Sequence, residues 1–504
     1  MENSQINHIS STQKLAGSLI VGKLLALIAA FAIPMLLTRF LTKADYGLYA
    51  QLYTVIMLIT VFFEFGISSN LYYYYPTAEP HEKSIFVFQT LLLLCIFSGF
   101  AALIISIPEF RNLIIGKGDL NNYASYIIIL VVVMIPTAII TPLYVVKNDH
   151  QTAVLYPIIE VILRAGFISI FVIIIPGVHA VFNAMIASAI VVLSFIVYYL
   201  YKEIGSKNIL IPIDFNRIKN QINYSLPFGM ANSIYTFSRM FDKLMCISYL
   251  STSSYATYAI AFYGVPGIQQ IYDSLAQVTI VRMTKYIQNG NKKEALRIYK
   301  KMIVQTYSFS IPVILIVCLY AKKIIVFLFT EKFADSTHLF QAYLGTFLIV
   351  ILGVDLILRA SGETKYALKA HLFSAIISIP TTFILIRQFG LWGAMTGAMI
   401  SMTIPMLFMF AKEIKIMETR LINFLPWRQM ISIVLISIVI FIPFLIVEFF
   451  FSFGIILSGI LAFFYLLIVS AIEVKYNLFI LESEQIRNIL LKYGNKLSAP
   501  TVKL

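Results

Sequence analysis

The sequence predicts an all-α membrane protein of about fourteen transmembrane helices, built as two six-helix bundles related by an internal parallel repeat plus two C-terminal helices. Three observations predict it. Of 504 residues, 60% are apolar and 12% charged, and the mean hydropathy of +0.86 exceeds what a water-soluble globule of this length carries. Apolar runs of the roughly 20 residues that a bilayer core requires recur from Ala16 to Ile472, separated by short polar breaks. Two separate pairs of segments also resemble each other at nearly the same offset. Alternating segments of about 10 residues, the mark of a membrane β-barrel, are absent.

The predicted spans are 16–38, 47–69, 84–107, 123–146, 153–175, 178–200, 225–249, 255–279, 303–327, 338–358, 366–387, 391–411, 429–449 and 453–472. The first is too long for a signal-peptide core and is expected to remain uncleaved. Domain boundaries follow: residues 1–210 and 211–415 as the two bundles, 416–475 as helices 13 and 14, and 476–504 as a cytoplasmic tail.

The net charge of +14 comes from Lys and Arg in the breaks between spans, not from one basic, aromatic-bearing surface, so a nucleic-acid partner is excluded. Most of these cations fall in breaks that share one side if the N-terminus is inside, which predicts both termini in the cytoplasm of a bacterial inner membrane. The break from Arg282 to Lys301 holds seven of them, expected to act as a topology anchor on an amphipathic surface helix rather than a dedicated lipid site. Tyr72 to Tyr75 before Pro76 reads as an interfacial aromatic belt. Cys95, Cys246 and Cys318 lie in apolar runs with no paired spacing, so packing is their expected role.

For the repeat, the stretch Leu41 to Ala50 aligns without gaps to Leu250 to Ala259, both between the first two helices of a bundle. Gly177, Ala184 and Ser188 align to Gly390, Gly397 and Ser401, across the hinges of helices 5 to 6 and 11 to 12. Six helices per copy is an even number, so the copies share one orientation. Prolines inside spans, among them Pro312, Pro380 and Pro405, predict bends.

Charges inside spans are costly, about 2.5–3.5 kcal/mol each at the bilayer centre on insertion scales, and mark candidate sites. The cations of this set are Lys23, Arg164, Arg239 and Lys243, each expected to face protein or a watery cavity. Glu64, Glu160, Asp242, Asp273 and Asp355 are candidate ion-coupling or gating carboxylates. Glu160 with Arg164, and Arg239 with Asp242 and Lys243, have spacings that allow pairing along one helix face; internal packing pairs are the alternative reading. Glu64 maps onto Asp273 through the repeat, so the two are expected at equivalent positions, whereas Lys23 maps onto Asn232.

Leu37-Thr38-Arg39-Phe40-Leu41 followed by Asp45-Tyr46-Gly47-Leu48-Tyr49 resembles the first-hairpin signature of the polysaccharide-transporter and O-antigen flippase family, within the multidrug/oligosaccharidyl-lipid/polysaccharide exporter superfamily. Arg359 to Lys365 and Gly390-Leu391-Trp392-Gly393-Ala394 are similar to later signatures, and the resemblance covers residues 12 to about 475. It implies two six-helix bundles around a central cavity and movement of undecaprenyl-diphosphate-linked oligosaccharide, an O-antigen, capsule or exopolysaccharide precursor, to the outer leaflet by alternating access. It also implies a cationic cavity, to which Lys23, Arg164, Arg239 and Lys243 correspond by position. Coupling to protons or sodium is expected through the carboxylates.

Two rivals remain at this point. A cation-coupled multidrug antiporter of the same superfamily would use an anionic cavity, and only the local cationic surplus on helix 7 opposes it. A membrane-bound polysaccharide polymerase or ligase would need a larger outer loop with catalytic residues. The outer breaks are short, the six histidines are scattered, and no phosphate loop or metal-ligand cluster occurs, so neither catalysis nor a cofactor is expected.

Overall fold

The computed structural model describes residues 31–115, 119–204, 214–265, 268–451, 453–476 and 478. Every regular element among them is helical. Lys23, most of the first predicted span and nearly all of the 476–504 tail lie outside the described residues. Among the described residues, nine helical stretches are long and apolar enough to cross a membrane by length and composition.

The chain divides into two compact units. The first comprises Met1–Ala259 with Thr382–Ala394. It contains α1 (Phe31–Phe40), α2 (Lys43–Glu64), α3 (Leu71–Thr77), α4 (Pro80–Ser106) and α5 (Pro108–Ile115). There follow α6 (Ala124–Thr137), α7 (Ile140–Val146), α8 (His150–Ile174), α9 (Val178–Ile204), α10 (Phe215–Tyr249) and most of α11 (Thr252–Ala261). α2 begins four residues earlier than predicted because Thr42 caps it, accepting from the Asp45 N–H at 3.1 Å. It stops at Phe65 and Gly66, both with left-handed backbone. Around α2 pack α4, α6, α9 and α10, with Leu52, Val55, Ile56, Ile127, Val131 and Phe182 buried among them. α10 is 35 residues long, ten residues longer at its start than the predicted span 225–249, and Asp214 caps it by accepting from Asn216 and Arg217.

The second unit comprises Ile260–Thr381 and Met395–Leu504. Its helices are α12 (Ile268–Gln288), α13 (Lys292–Leu319), α14 (Ala321–Phe329), α15 (Thr337–Val350) and α16 (Leu356–Ala360). α17 (Thr364–Ile416), α18 (Leu421–Phe424), α19 (Trp427–Phe450) and α20 (Ile455–Lys475) complete the chain, residues 382–394 of α17 belonging to the first unit. α19 and α20 are predicted helices 13 and 14, and they pack on α13 around Ile316, Tyr320, Tyr465 and Val469.

Several predicted helices are broken. The span 255–279 is interrupted between Ala261 and Ile268, with Gly264 at φ +65°. The span 338–358 is interrupted between Val350 and Leu356, with Gly353 at φ +63° and Asp355 at φ +117°. Within α17 the backbone leaves helical geometry at Gly390 (φ 55°, ψ −126°), which marks the predicted boundary between helices 11 and 12. Apolar periodicity cannot register such breaks when the flanking residues stay apolar. The cationic break 282–301 is no separate surface helix. α12 and α13 run past their predicted ends and meet at a tight turn, Gly290 at φ +73° with Asn291 capping α13.

Candidate functional site

Within the first unit the repeat is visible in hydrogen bonds. Thr42 Oγ1 accepts from the Asp45 N–H at 3.1 Å, and its counterpart Ser251 Oγ accepts from the Ser254 N–H at 3.2 Å. The equivalent tyrosines Tyr46 and Tyr255, and Tyr49 and Tyr258, are all buried.

Buried hydroxyls and carboxylates of this repeat region acquire specific partners. The Tyr255 hydroxyl bonds Thr54 at 2.7 Å. The Tyr258 hydroxyl donates to Asp242 Oδ2 at 2.5 Å. Asp242 is 4% exposed, so the α10 triplet does not lie on one face: Asp242 points into the packed interior at Tyr258, while Arg239 is exposed, donates to the Tyr235 hydroxyl at 2.9 Å and sits over that ring. Lys243 is half-buried beside Asp242.

Glu160 and Arg164 pair on α8 as predicted from their spacing, and Arg164 Nη1 also donates to the Tyr53 hydroxyl of α2 at 3.3 Å. Both charges line a small cavity of about 50 Å³ between α6, α8 and α9, with Thr137, Tyr156 and Ser188 on its wall. That space suits water or a small ion, with one carboxylate, one guanidinium and hydroxyls to coordinate it. Glu64, the last residue of α2, accepts from the Ser68 hydroxyl in the following turn.

In the second unit, Asp273 on α12 accepts from Gln269 at 3.0 Å and is exposed. Asp355 pairs with Arg359 at 2.9 Å. α16 packs against α12, so the break before α16, which carries Asp355, and the helix that carries Asp273 lie in one neighbourhood. No group of three or more potential metal ligands occurs among the described residues.

The sequence matches the model of a family described as polysaccharide biosynthesis protein over residues 36–338. The chain belongs to this polysaccharide biosynthesis family. Comparison with curated proteins by sequence gives no significant match. Among solved structures, the chain is similar to a lipid II flippase MurJ in an inward closed conformation, with a TM-score of 0.70 at 15% identity, covering 91% of this chain and 98% of that one. It is also similar to an inward-facing multidrug resistance MATE family transporter of the MOP superfamily, with a TM-score of 0.63 at 16% identity over 79% of this chain and 96% of that one. A MOP superfamily transporter from Pyrococcus furiosus, described as having a binding pocket of reversed polarity, gives a TM-score of 0.55 at 14% identity over 81% and 96%. This family member therefore has the fold of membrane flippases and transporters, and is a multi-pass membrane protein.

Some polar groups of this transporter-fold chain escape the sequence reading. Glu413 lies just past predicted helix 12, yet its Oε1 accepts from the backbone N–H groups of Asp355, Ile357 and Leu358 at 3.0, 2.9 and 3.2 Å and is fully buried. It caps the broken helix. Asn70, Gln89, Thr90 and Gln221 form a fully buried hydrogen-bonded quartet in the first unit. Glu448, inside predicted helix 13, pairs with Lys323, which also donates to Ser458 at 2.9 Å. Uncharged amides carry no charge signal and Glu413 stands two residues past its span, whereas Glu448 and Lys323 lie inside predicted spans and find each other only through tertiary packing. Polar residues at apolar-phase positions were the available signal.

Proposed function

We propose that the protein moves undecaprenyl-diphosphate-linked oligosaccharide, a precursor of surface polysaccharide, across the bacterial cytoplasmic membrane from inner to outer leaflet by alternating access, with both termini in the cytoplasm. The observation that carries this reading is the match to a polysaccharide biosynthesis family on a fold shared over 91% of the chain with a lipid II flippase. Arg239 and Lys243 on α10 are the proposed anchor for the diphosphate, with Arg164 and Lys23 as further contacts. Arg239 supports this role by its exposure, and its planar fork suits two phosphate oxygens at once. Asp242 is buried and accepts from Tyr258, while Arg239, three residues earlier, is exposed.

The second reading, cation-coupled export, is favoured by the proximity of Asp273 and Asp355 and can operate within the first: a coupling ion exchanged at these carboxylates supplies the energy for flipping. Glu64, Asp242 and Glu160 are the further candidate gating groups.

The test is complementation of a strain lacking its own flippase. Arg239→Ala abolishes surface polysaccharide while protein level and melting temperature stay normal, and Arg239→Lys restores part of it. Full polysaccharide in Arg239→Ala cells removes the proposed anchor, and full export of a cationic dye with no polysaccharide dependence would replace the reading with drug efflux.

A further inference from the structure

The helical hairpin of α12 and α13 encloses a groove of about 920 Å³ lined by Arg282, Lys285, Arg297, Lys300 and Lys301. Arg297 is neutralised by Glu294 at i,i−3. The other four cations make no ion pair or side-chain hydrogen bond among the described residues, and no other carboxylate lines the space. Four like charges lining one concavity repel one another, with Arg282, Lys285 and Lys301 exposed and Lys300 half-buried. An anion bearing more than one negative charge relieves this repulsion.

The groove adjoins the apolar parts of two candidate membrane-crossing helices. Its wall includes Ile298 and the buried Val304 on α13, where that helix turns apolar, and Gln429, the third residue of the apolar span α19. Gln429 also lines a second groove of about 930 Å³, whose walls include Leu425, Trp427, Leu435 and Ile436. A cationic compartment and a largely apolar one therefore adjoin at a single side chain, as an amphiphile requires.

We propose that the α12–α13 hairpin with the start of α19 is a binding site for an anionic phospholipid with a two-phosphate headgroup, its phosphates among Arg282, Lys285, Lys300 and Lys301 and an acyl chain along α19. The site is independent of what the protein transports. Each cation near an anionic headgroup contributes about 1 kcal/mol, about fivefold in affinity, so removing two weakens binding about 25-fold.

The experiment titrates full-length protein in neutral detergent with diphosphatidylglycerol, phosphatidylcholine or inorganic pyrophosphate, reading bound lipid by native mass spectrometry and pyrophosphate by calorimetry. The parent binds diphosphatidylglycerol in preference to both others. Lys300→Gln with Lys301→Gln loses about 25-fold, whereas Lys292→Gln with Lys293→Gln, which removes the same charge from the same hairpin outside the groove, loses less than threefold. Arg282→Gln with Lys285→Gln, on the opposite wall, repeats the loss and serves if the first pair fails to fold. Equal losses in the groove and control pairs would show general charge attraction and overturn the site. Undiminished binding in the groove variants would overturn it too, and pyrophosphate binding as tightly as the lipid would replace it with a soluble-anion site.

Discussion

Gly47 packs against Ala256, its own counterpart 209 residues further along the chain: a β-carbon built on Gly47 lies 3.3 Å from the Ala256 Cβ and inside contact distance of the Thr252 carbonyl. A residue that touches its own equivalent is what self-complementary packing of a repeated motif produces. Gly47→Ala is expected to cost about 1–3 kcal/mol through overpacking, and a larger residue to prevent folding. Adding Ala256→Gly gives no rescue, because the nearer obstacle is backbone. Thermal unfolding in detergent measures both; a Gly47→Ala protein as stable as the parent would remove the close-approach argument.

Glu413 holds the break before α16 together. Glu413→Ala strands three N–H groups, two of them on fully buried residues, at about 1–3 kcal/mol each, so the variant is expected to accumulate poorly. Glu413→Gln retains an acceptor oxygen and should fold nearly normally. Detergent-extracted yield and melting temperature distinguish them; equal behaviour of the two variants would argue that the capping oxygen is dispensable.

Asp149, outside the spans, caps α8 by accepting from the Thr152 N–H at 3.1 Å and also accepts from the Tyr199 hydroxyl at 2.9 Å. Partial burial pushes its carboxyl up, but the Thr152 side-chain and backbone bonds, the Tyr199 bond and the Lys147 charge outweigh this and hold it below the ordinary aspartate value. A depressed folded value means that the stabilisation is fully present above the unfolded value of about 4 and is lost as pH falls through the lower folded value. Asp149→Ala should be about 1 kcal/mol less stable than the parent at neutral pH, with the gap closing below about pH 4. Melting temperatures across pH 3–7 check the sign: a gap that widens on acidification contradicts it.

Coupling can be probed at the two carboxylates that the second unit brings together. Asp273→Asn with Asp355→Asn is expected to abolish the response of transport to an imposed proton or sodium gradient in proteoliposomes, while Glu64→Gln tests the equivalent position of the first unit. Unchanged gradient dependence in both variants would detach these groups from energy coupling.

The helical membrane class, the hinge at Gly390 and the pairing of Glu160 with Arg164 were legible in the sequence because each rests on local spacing or on a residue type with one backbone use. The union of Asp273 with Asp355 and the cap from Glu413 were not, because both depend on where a helix breaks, and Leu352 to Leu358 stay apolar through the break except at Asp355. The separation of Arg239 from Asp242 also escaped. A spacing of three residues permits a shared face, but Asp242 is buried and accepts from the Tyr258 hydroxyl while Arg239 is exposed, and burial is set by tertiary packing that the spacing does not record. The cationic hairpin was legible as charge and illegible as a groove, since its concavity comes from two helices outrunning their apolar segments.

The Glu413 contact also sets an order of events during biosynthesis. The carboxylate follows Asp355 by 58 residues and Leu358 by 55, so when the broken tenth segment leaves the ribosome its acceptor does not yet exist. The stranded amides must remain in water or in the insertion machinery until the next two helices have been threaded, and the tenth segment settles only after the twelfth has arrived. A ribosome stalled before residue 413 should therefore hold a chain whose tenth segment is still accessible to a water-soluble labelling reagent.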